Sequence, residues 1–202
     1  TVIPCASSSG TQTTNGMSLS ARSGGFGNAA FLVPVHPADY EDQAEETYPA
    51  LAGIGFQNKI ERLAYNAGGG DYSLPAASLS SFLKNKYHVN LPEKRSWPRS
   101  RPADLHMILP GFVCTTLEAA IPKMLSLLKG VLHEEVLLYA AETRSSSPVR
   151  VSRNETGESV NLSGLFPSGE GAGYAGGIVS SAVDGLSAAE AVIRKILDEI
   201  KI

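Results

Sequence analysis

The sequence has few cysteines and no long apolar run. Its two cysteines, Cys5 and Cys114, show neither CxxC nor zinc-ligand spacing, so neither a disulfide framework nor a zinc finger is expected, and a reducing compartment is the simplest interpretation. No apolar stretch approaches the roughly 18 residues that a membrane-spanning helix needs. These absences argue against a disulfide-stabilised scaffold and against a membrane-spanning helix in this sequence.

Several motifs of common enzyme classes are also absent. The phosphate-binding pattern GxxxxGK[ST] and the nucleophile pattern GxSxG do not occur, which argues against P-loop phosphoryl transfer and against a serine hydrolase of that type. The histidines lack metal-ligand spacing and an evident acid partner in the sequence; they are His36, His88, His106 and His133. The net charge of -3 gives no general polyanion-binding character, so nucleic acid is not an expected partner.

What remains is the composition of a folded, soluble chain. Of its 202 residues 43% are hydrophobic and 18% are charged, which is enough to build a core in one or two domains. The first third predicts strands at 1–8 and 29–35, with a Thr/Asn/Gly turn through Gly16 between them. Apolar residues at helical spacing then predict a helix over 53–67, closed by the glycines at 68–70.

The middle of the chain predicts a helical cap. A short helix is expected at 79–84, followed by helices at 103–109 and 111–130 that are interrupted by Pro110 and Pro122. Strand character returns at 136–142 and at 149–152, just before a glycine-rich segment. The sequence therefore predicts an α/β chain with a mixed sheet and a helical cap.

The glycine-rich segment is the most informative part of the sequence. Five of the nine residues from Gly169 to Gly177 are glycine, and Gly171, Gly173 and Gly176 fit GxGxxG. That pattern is typical of a strand that turns into a helix whose N-terminus binds a pyrophosphate. The second strand and the ribose-binding acid of a dinucleotide fold do not follow before Ile202. We therefore interpret the segment as the closing strand, loop and helix of a nucleotide fold, with a turn that serves tight helix packing alone as the alternative.

The predicted last helix has two distinct faces. Gly177, Ser181, Gly185 and Ala189 recur every four residues and form a face almost without side chains, where a backbone can approach closely. The apolar stripe is expected to pack against a sheet; it contains Ile178, Ala182, Ala189, Val192, Ile193, Ile196 and Ile200.

A basic segment precedes the predicted cap helices. From Lys84 to Arg101 there are six basic residues and one acid, Glu93, with Tyr87 and Trp97 between them. Such a segment can dock an acidic partner, a nucleic acid or the phosphates of a pyridine nucleotide. The alternative is a solvated loop without a specific partner.

Long blocks of the sequence resemble a known family. The stretch GLFPSGEGAGYAGGIVSSAVDG (164–185) is similar to the C-terminal signature of a family of FAD-dependent dehydrogenases related to the glutathione-reductase-type flavoproteins. The resemblance extends in family order to TNGMSLSAR (14–22) with Asn28, LAGIGFQNKIER (51–62), GGGDY (68–72), RPADLHMILP (101–110) and ETRSSSPVR (142–150). Because the blocks span nearly the whole chain, we take the resemblance as the guide to function.

The resemblance implies a fold and a division into domains. Residues 1–150 would form a substrate or cap domain with a mixed sheet and helices. Residues 151–202 would complete a glutathione-reductase-type FAD-binding domain, whose N-terminal Rossmann half is not in this chain. The expected partner is thus a polypeptide portion that carries the ADP-binding half, and the expected cofactor is FAD.

The resemblance also implies a flavin site in the glycine-rich segment. Glu170 resembles the acid that accepts a hydrogen bond from the ribityl chain; otherwise it would only complement the helix N-terminus. The amides of Gly176, Gly177 and Ile178 would face the N1 and C2-carbonyl end of the flavin ring and stabilise negative charge there. The expected cofactor-binding residues are Gly169, Glu170, Gly171, Gly173, Tyr174, Gly176, Gly177 and Ile178.

Two further groups of residues are candidates for binding a small-molecule substrate. Thr143, Arg144 and Arg150 precede the glycine-rich segment, and either arginine can bind an anion or form a structural salt bridge. The second group is Asn15, Met17, Ser18 and Arg22, with the thioether of Met17 suited to an aromatic surface; the alternative is an ordinary turn. The sequence does not identify the catalytic residues, and no metal site is expected.

The functional hypothesis is an FAD-dependent oxidoreductase portion with an unknown substrate. A non-catalytic structural or regulatory subunit, derived from a divided flavoprotein within a larger assembly, is the alternative, and a stand-alone NAD(P)-binding domain is the third. The resemblance is compatible with the bacterial cytoplasm and with the plastid stroma.

Overall fold

The structure divides the chain into two units. It is a computed structural model that describes residues 1–6, 8–40, 48–131 and 133–200, without the side chain of His133. Unit 1 comprises Thr1–Asp39 and Phe56–Thr143, and unit 2 comprises Tyr40–Gly55 and Arg144–Ile202.

Unit 1 contains a two-stranded hairpin and a mixed three-stranded sheet. In the hairpin, β1 (Val2–Cys5) pairs antiparallel with β2 (Thr13–Gly16). In the sheet, β3 (Leu74–Ser78) lies between β4 (Ser100–Pro102), which is parallel to it, and β5 (Leu137–Tyr139), which is antiparallel. The central strand β3 begins with buried residues, as expected for a strand that pairs on both sides.

Helix α1 (Ala52–Ala67) confirms the predicted amphipathic pattern. Phe56, Ile60 and Ala64 recur every four residues and are all buried, so they form one face of the helix. The helix ends at Gly68, where a Cβ atom would overlap the carbonyl of Ser73. Only glycine fits this close approach, which explains why the glycines end the helix.

The apolar core of unit 1 lies between two further helices and their neighbours. Helix α2 (Leu79–Leu83) is capped by the Ser78 hydroxyl, which accepts a hydrogen bond from the Ser81 amide at 3.1 Å. Helix α3 spans Gly111–Ser126. Leu79 of α2 packs with Ile121 and Leu125 of α3, and the partly buried side chains around them are Phe31, Leu83, Leu117, Val131, Val136 and Leu138.

A buried polar network lies beside the hairpin in unit 1. The Thr143 hydroxyl donates to Glu61 Oε1 at 2.8 Å, and the Thr143 amide donates to Thr13 Oγ1 at 3.3 Å. Thr13 Oγ1 in turn donates to the Ala141 carbonyl at 2.9 Å. Since Glu61 and Gln12 are fully buried, these bonds fix β2, α1 and the end of β5 relative to one another.

The described residues of unit 2 include the short 3₁₀ turn Pro49–Leu51, the first turn of α1, the loops from residue 144 to 177, and the long helix α4 (Ile178–Ile200). Its buried apolar groups, among the residues described, are Ala52, Ala172 and the ring of Pro167. No branched aliphatic or aromatic side chain of its described residues is buried. Unit 2 thus has almost no apolar core of its own.

The structure corrects several predicted strands. The Thr/Asn/Gly turn through Gly16 is the second strand of the hairpin, because the chain reverses earlier, at Gly10 with φ +73°. Residues 29–35 form no strand, and neither do residues 149–152. The glycine-rich segment is therefore preceded by loop and an isolated bridge between Arg153 and Ser159, and the predicted closing strand is wrong. Residues 29–35 and 149–152 have the composition of strands, but no strand edge lies beside them to pair with.

The predicted helical cap is also simpler than expected. Residues 103–109 contain only the 3₁₀ turn Leu105–Met107. Pro110 precedes α3 as its N-cap residue, whereas Pro122 lies inside α3 without interrupting it. A proline removes a single backbone bond from a helix interior, and the buried neighbours of Pro122, such as Ile121, hold the helix together across that gap.

We expect Ile121→Ala to destabilise unit 1 by about 2–5 kcal/mol, because Ile121 is 1% exposed and its removal leaves a cavity in the core. Urea unfolding followed by circular dichroism measures this change. The control is Leu127→Ala just beyond α3, since Leu127 is 82% exposed and its truncation leaves no cavity. Equal losses in the two variants would contradict this description of the core.

Candidate functional site

The glycine-rich loop of unit 2 is a tightly folded series of turns. Gly169 and Gly173 have φ angles of +73° and +82°, which favour glycine. A Cβ atom on Gly173 would also lie 2.6 Å from the Val149 carbonyl oxygen. Ala172 between them is 8% exposed. The loop thus has a fixed shape in which two of its glycines are required by the backbone.

Asp184 on α4 is the main anchor of this loop. Its carboxylate accepts a fork of hydrogen bonds from Arg153, with Nη2 to Oδ1 at 2.6 Å and Nη1 to Oδ2 at 3.0 Å. Oδ2 also accepts a hydrogen bond from the Gly169 amide at 2.8 Å. Because these donors favour the charged form, first Arg153 and then Gly169 lower the pKa of Asp184. One acid therefore holds the beginning of the loop against α4.

Arg153 joins a second group of contacts around Tyr174. Its guanidinium lies 3.7 Å from the centre of the Tyr174 ring, and its amide donates to the Tyr174 hydroxyl at 3.1 Å. Arg150 lies over the same ring at 4.9 Å, while its Nε donates to the Gly173 carbonyl at 3.1 Å. These cation–π contacts fix the end of the loop, just as Asp184 fixes its beginning.

A second ion pair ties the preceding loop to α4. Glu158 Oε1 accepts hydrogen bonds from Lys195 Nζ, from the Ser163 hydroxyl at 3.1 Å and from the Gly164 amide at 2.5 Å. The hydrogen bond from Lys195 is the main reason why the pKa of Glu158 is lowered. The loops of unit 2 thus lie along one face of α4 over most of its length.

The N-terminus of α4 is open. No atom lies within 4 Å of the position that a Cβ on Gly176 would take, and Ile178 is 92% exposed. The Gly177 amide donates to Ser180 Oγ at 3.1 Å within its own chain, so one of the three amides expected to face a flavin already has a partner. Glu170 is exposed on the adjacent turn, and its carbonyl accepts a hydrogen bond from the Gly173 amide at 2.9 Å.

The remaining glycine of the predicted cofactor set, Gly171, accepts a hydrogen bond from the Ser147 hydroxyl at 3.3 Å. The structure therefore brings all eight predicted cofactor-binding residues into one loop and helix end. Of the predicted substrate residues, Arg150 lies beside this loop, whereas Arg144 is exposed near the start of the segment.

The other predicted substrate residues belong to unit 1. Asn15 lies on β2, and Met17 follows it with its side chain 49% exposed. Ser18 and Arg22 are exposed in the following turn, where Arg22 has a φ angle of +48°. These four residues line one exposed stretch. Thr143 differs from them, because its hydroxyl is used in the buried network with Glu61.

His106 has acid partners that the sequence did not reveal. Its Nε2 lies 2.8 Å from Glu118 Oε1, its Nδ1 lies 3.2 Å from Asp104 Oδ1, and its ring stacks on Phe82. The adjacent cavity of about 10 Å³ is lined partly by Ser81, Phe82 and His106. It has room for about one water molecule, so it is too small for a ring-shaped cofactor or substrate.

The basic segment uses much of its charge within unit 1. Arg95 donates to the carbonyls of Pro92 at 2.7 Å and Pro98 at 2.9 Å. Arg101 forms an ion pair with Asp71 at 2.8 Å, and Arg99 donates to the Asp71 carbonyl at 2.9 Å. Arg95 thus stabilises its own loop, while Arg99 and Arg101 bind the end of the segment to Asp71. Half of the six basic residues therefore make contacts within unit 1.

Sequence reasoning missed Arg153 and Asp184. The available signal was a single acid, Asp184, at the edge of the small-residue face of the last helix and surrounded in sequence by small and apolar residues. Within the described ranges, no three metal-ligating side chains are grouped to hold a metal ion. In the same part of the chain, no helix has both the length and the apolarity to cross a membrane.

We expect Asp184→Ala to speed hydrogen exchange of the Gly169 amide about tenfold or more at neutral pH, because the amide loses a charged acceptor. In the unchanged protein the pKa of Asp184 is lowered, so protection by the carboxylate is complete above the ordinary aspartate pKa of about 3.9. It is lost as the pH falls through the lower, folded-state value. Exchange measured by mass spectrometry across this range checks both expectations.

The control for that experiment is Glu190→Ala, which removes only the exposed pair with Arg194 on α4. We expect the Gly169 amide to keep its protection in this variant. Equal exchange rates in the Asp184 and Glu190 variants would show that Asp184 does not anchor the loop.

Comparison with known proteins supports an FAD-dependent family. The family model described as "FAD-dependent protein, C-terminal domain-like" matches residues 1–145. An uncharacterised protein of Clostridium beijerinckii is 38% identical over 198 residues, which is 96% of this chain but 36% of the relative's length. The chain thus spans about a third of that relative. Because the family match covers most of the chain, this protein belongs to the family of C-terminal domains of FAD-dependent proteins.

Proposed function

We propose that this chain is the part of an FAD-dependent oxidoreductase that holds the ribityl chain and the isoalloxazine ring of FAD. The observation that carries the proposal is the family match over residues 1–145. The relation to glutathione-reductase-type flavoproteins rests on the resemblance of the glycine-rich segment, 164–185. In this proposal residues 1–150 form the substrate or cap domain, and residues 151–202 complete the FAD domain.

The open N-terminus of α4 is suited to the N1 and C2-carbonyl end of a flavin ring. The space beside Gly176 is open, and α4 is a helix of 23 residues whose N-terminal end carries partial positive charge. Amides at such an end favour an electron-rich carbonyl or ring nitrogen. Glu170, exposed beside them, is the acceptor for a ribityl hydroxyl.

When bound, FAD would supply the hydride-transfer chemistry. The residues of this chain would orient the ring and stabilise negative charge at its N1 and C2-carbonyl end. The fork from Arg153 to Asp184 keeps the loop in the shape that this requires. The amides of Gly176 and Ile178 are the proposed donors, since the Gly177 amide is shared with Ser180.

Arg150 is the best candidate for binding an anionic substrate. Its Nε is held by the Gly173 carbonyl and its plane lies over Tyr174. Among the residues that the structure describes, its two Nη atoms have no hydrogen-bond partner, so this planar pair of donors suits a carboxylate or a phosphate. The exposed stretch of unit 1 with Asn15, Met17, Ser18 and Arg22 is a separate candidate for substrate binding.

The remainder of the FAD site is proposed to come from a polypeptide portion with the ADP-binding half. The C. beijerinckii relative has more than half of its length outside the matched segment, which leaves room for such a portion. The proposal is tested by purifying the native complex through a tag on this chain, denaturing it and identifying FAD in the supernatant. A complex that releases no flavin would leave a structural or regulatory subunit as the better description.

We expect Gly176→Val to reduce FAD retention in that complex about tenfold, a loss of about 1.4 kcal/mol of binding. The added side chain would occupy the open space next to the α4 N-terminus. Absorbance of released flavin per mole of complex measures the effect. The control Gly185→Ala adds a methyl group in open space within α4, away from its N-terminus, and is expected to retain FAD. Unchanged retention in Gly176→Val would refute the proposed flavin contact.

We expect Arg150→Gln to raise KM for an anionic substrate about tenfold with a smaller change in kcat, because a charge-assisted contact of about 1.5 kcal/mol is lost. Arg150→Lys keeps the charge but not the planar pair of donors, so its KM should lie between that of the unchanged protein and that of Arg150→Gln. Steady-state kinetics on the flavin-loaded complex measure both variants. An unchanged KM in Arg150→Gln would assign Arg150 to loop structure alone.

A further inference from the structure

Helix α4 exposes a broad apolar face. Val179, Leu186, Ile193 and Ile200 recur at seven-residue intervals and are 76%, 69%, 56% and 73% exposed. Further exposed apolar residues flank this row on both sides. We define the α4 apolar face by ten residues of the helix: Ile178, Val179, Ala182, Val183, Leu186, Ala189, Ile193, Ile196, Leu197 and Ile200.

 The ten helical residues of this face cover about 140° of the helix circumference at 100° per residue.

The opposite face of α4 is already used inside unit 2. Asp184 and Lys195 hold the loops there through Arg153 and Glu158, and a Cβ on Gly157 would lie 3.7 Å from the Cβ of Ala191. The helix therefore packs on one side only. The predicted burial of its apolar stripe against a sheet is not found within the described residues, since Ile178, Ile193, Ile196 and Ile200 are exposed.

Unit 2 has almost no apolar core, and this explains why the exposed face of α4 matters for its stability. Unit 1 buries leucine, isoleucine and phenylalanine side chains, whereas the buried apolar groups described in unit 2 are Ala52, Ala172 and Pro167. A unit of this size depends on burying large apolar side chains for its stability. Exposed apolar patches of this extent mark an interaction surface, so unit 2 is completed by contact with something else.

We propose that the α4 apolar face docks against an apolar layer of the polypeptide portion that carries the ADP-binding half of the FAD domain. This rests on the proposed function. The C. beijerinckii relative continues beyond the matched segment for 64% of its length, the remainder after the 36% that the chain covers. The relative thus has residues outside the matched segment that are available to cover this face.

Width and charge favour this occupant over two others. A two-helix coil between copies of this chain uses a narrow seam of two positions in seven, whereas Val183 and Leu197 widen the α4 apolar face well beyond such a seam. A helix that lies on a membrane surface carries lysine and arginine on its polar face. The polar positions of α4 instead hold four acids and two bases: Asp184, Glu190, Asp198 and Glu199 against Arg194 and Lys195.

The test uses a chimera in which this chain replaces the matched segment of the C. beijerinckii relative. A photoreactive benzoylphenylalanine stands at Leu186, and a matched probe stands at Leu127, which is also exposed but belongs to unit 1. We expect the probe at Leu186 to crosslink to a peptide from outside the matched segment, within one polypeptide, and the probe at Leu127 to give no such crosslink. Mass spectrometry of the digested product identifies the peptides.

Two results would overturn the docking proposal: a crosslink from Leu186 to α4 of a second chain, or no crosslink to the portion outside the matched segment. Flavin released from the same chimera is measured separately. A crosslink as expected without flavin retains the docking surface and contradicts the proposed function. Flavin without that crosslink contradicts the docking surface alone.

A second measurement on the 202-residue chain by itself covers the case of a chimera that does not fold. We expect a monomer by light scattering that binds an apolar dye, with binding reduced about fivefold in the double variant Leu186→Lys with Ile193→Lys. The control Leu127→Lys should leave dye binding unchanged. A stable dimer that the double variant dissociates, or dye binding that it does not alter, would contradict the proposal.

Discussion

The carboxylate of Asp184 is the constraint on which the arrangement of unit 2 depends. It receives two hydrogen bonds from Arg153 and one from the Gly169 amide, so a single side chain on α4 sets the position of the loop that precedes the helix. Arg153 also contacts Tyr174 at the other end of the loop, through its guanidinium over the ring and its amide to the hydroxyl. A glycine-rich loop has little stiffness of its own, and its shape here comes from charged groups outside it. The open amides at the start of α4 are held in place by this means.

The two faces of α4 make different kinds of contact. One face binds the loops of unit 2 through polar and charged contacts, while the α4 apolar face has no partner among the residues described. The proposed flavin site and the proposed docking surface thus share one helix. A partner that covers the apolar face would also hold the helix N-terminus in register with its own half of the FAD site, so cofactor binding and assembly would stabilise each other.

The sequence predicted those features that depend on local pattern. The spacing of Phe56, Ile60 and Ala64 predicted α1, the glycines after it predicted its end, and the glycine-rich segment located the proposed cofactor loop. Predictions that needed knowledge of a distant neighbour were wrong, as at 149–152, where no strand edge pairs with the chain. The fork from Arg153 to Asp184 joins residues 31 apart, and Glu118 reaches His106 from α3. Neither contact leaves a periodic signal in the sequence.

We propose that the amides at the start of α4 face the ring of FAD, and a crystal or cryo-EM structure of the assembled flavoprotein would test this contact. We expect density for the isoalloxazine ring beside Gly176 and Ile178, with its N1 and C2-carbonyl end toward α4 and the ribityl chain near Glu170. A ring bound elsewhere, with the space beside Gly176 filled by protein side chains, would contradict it.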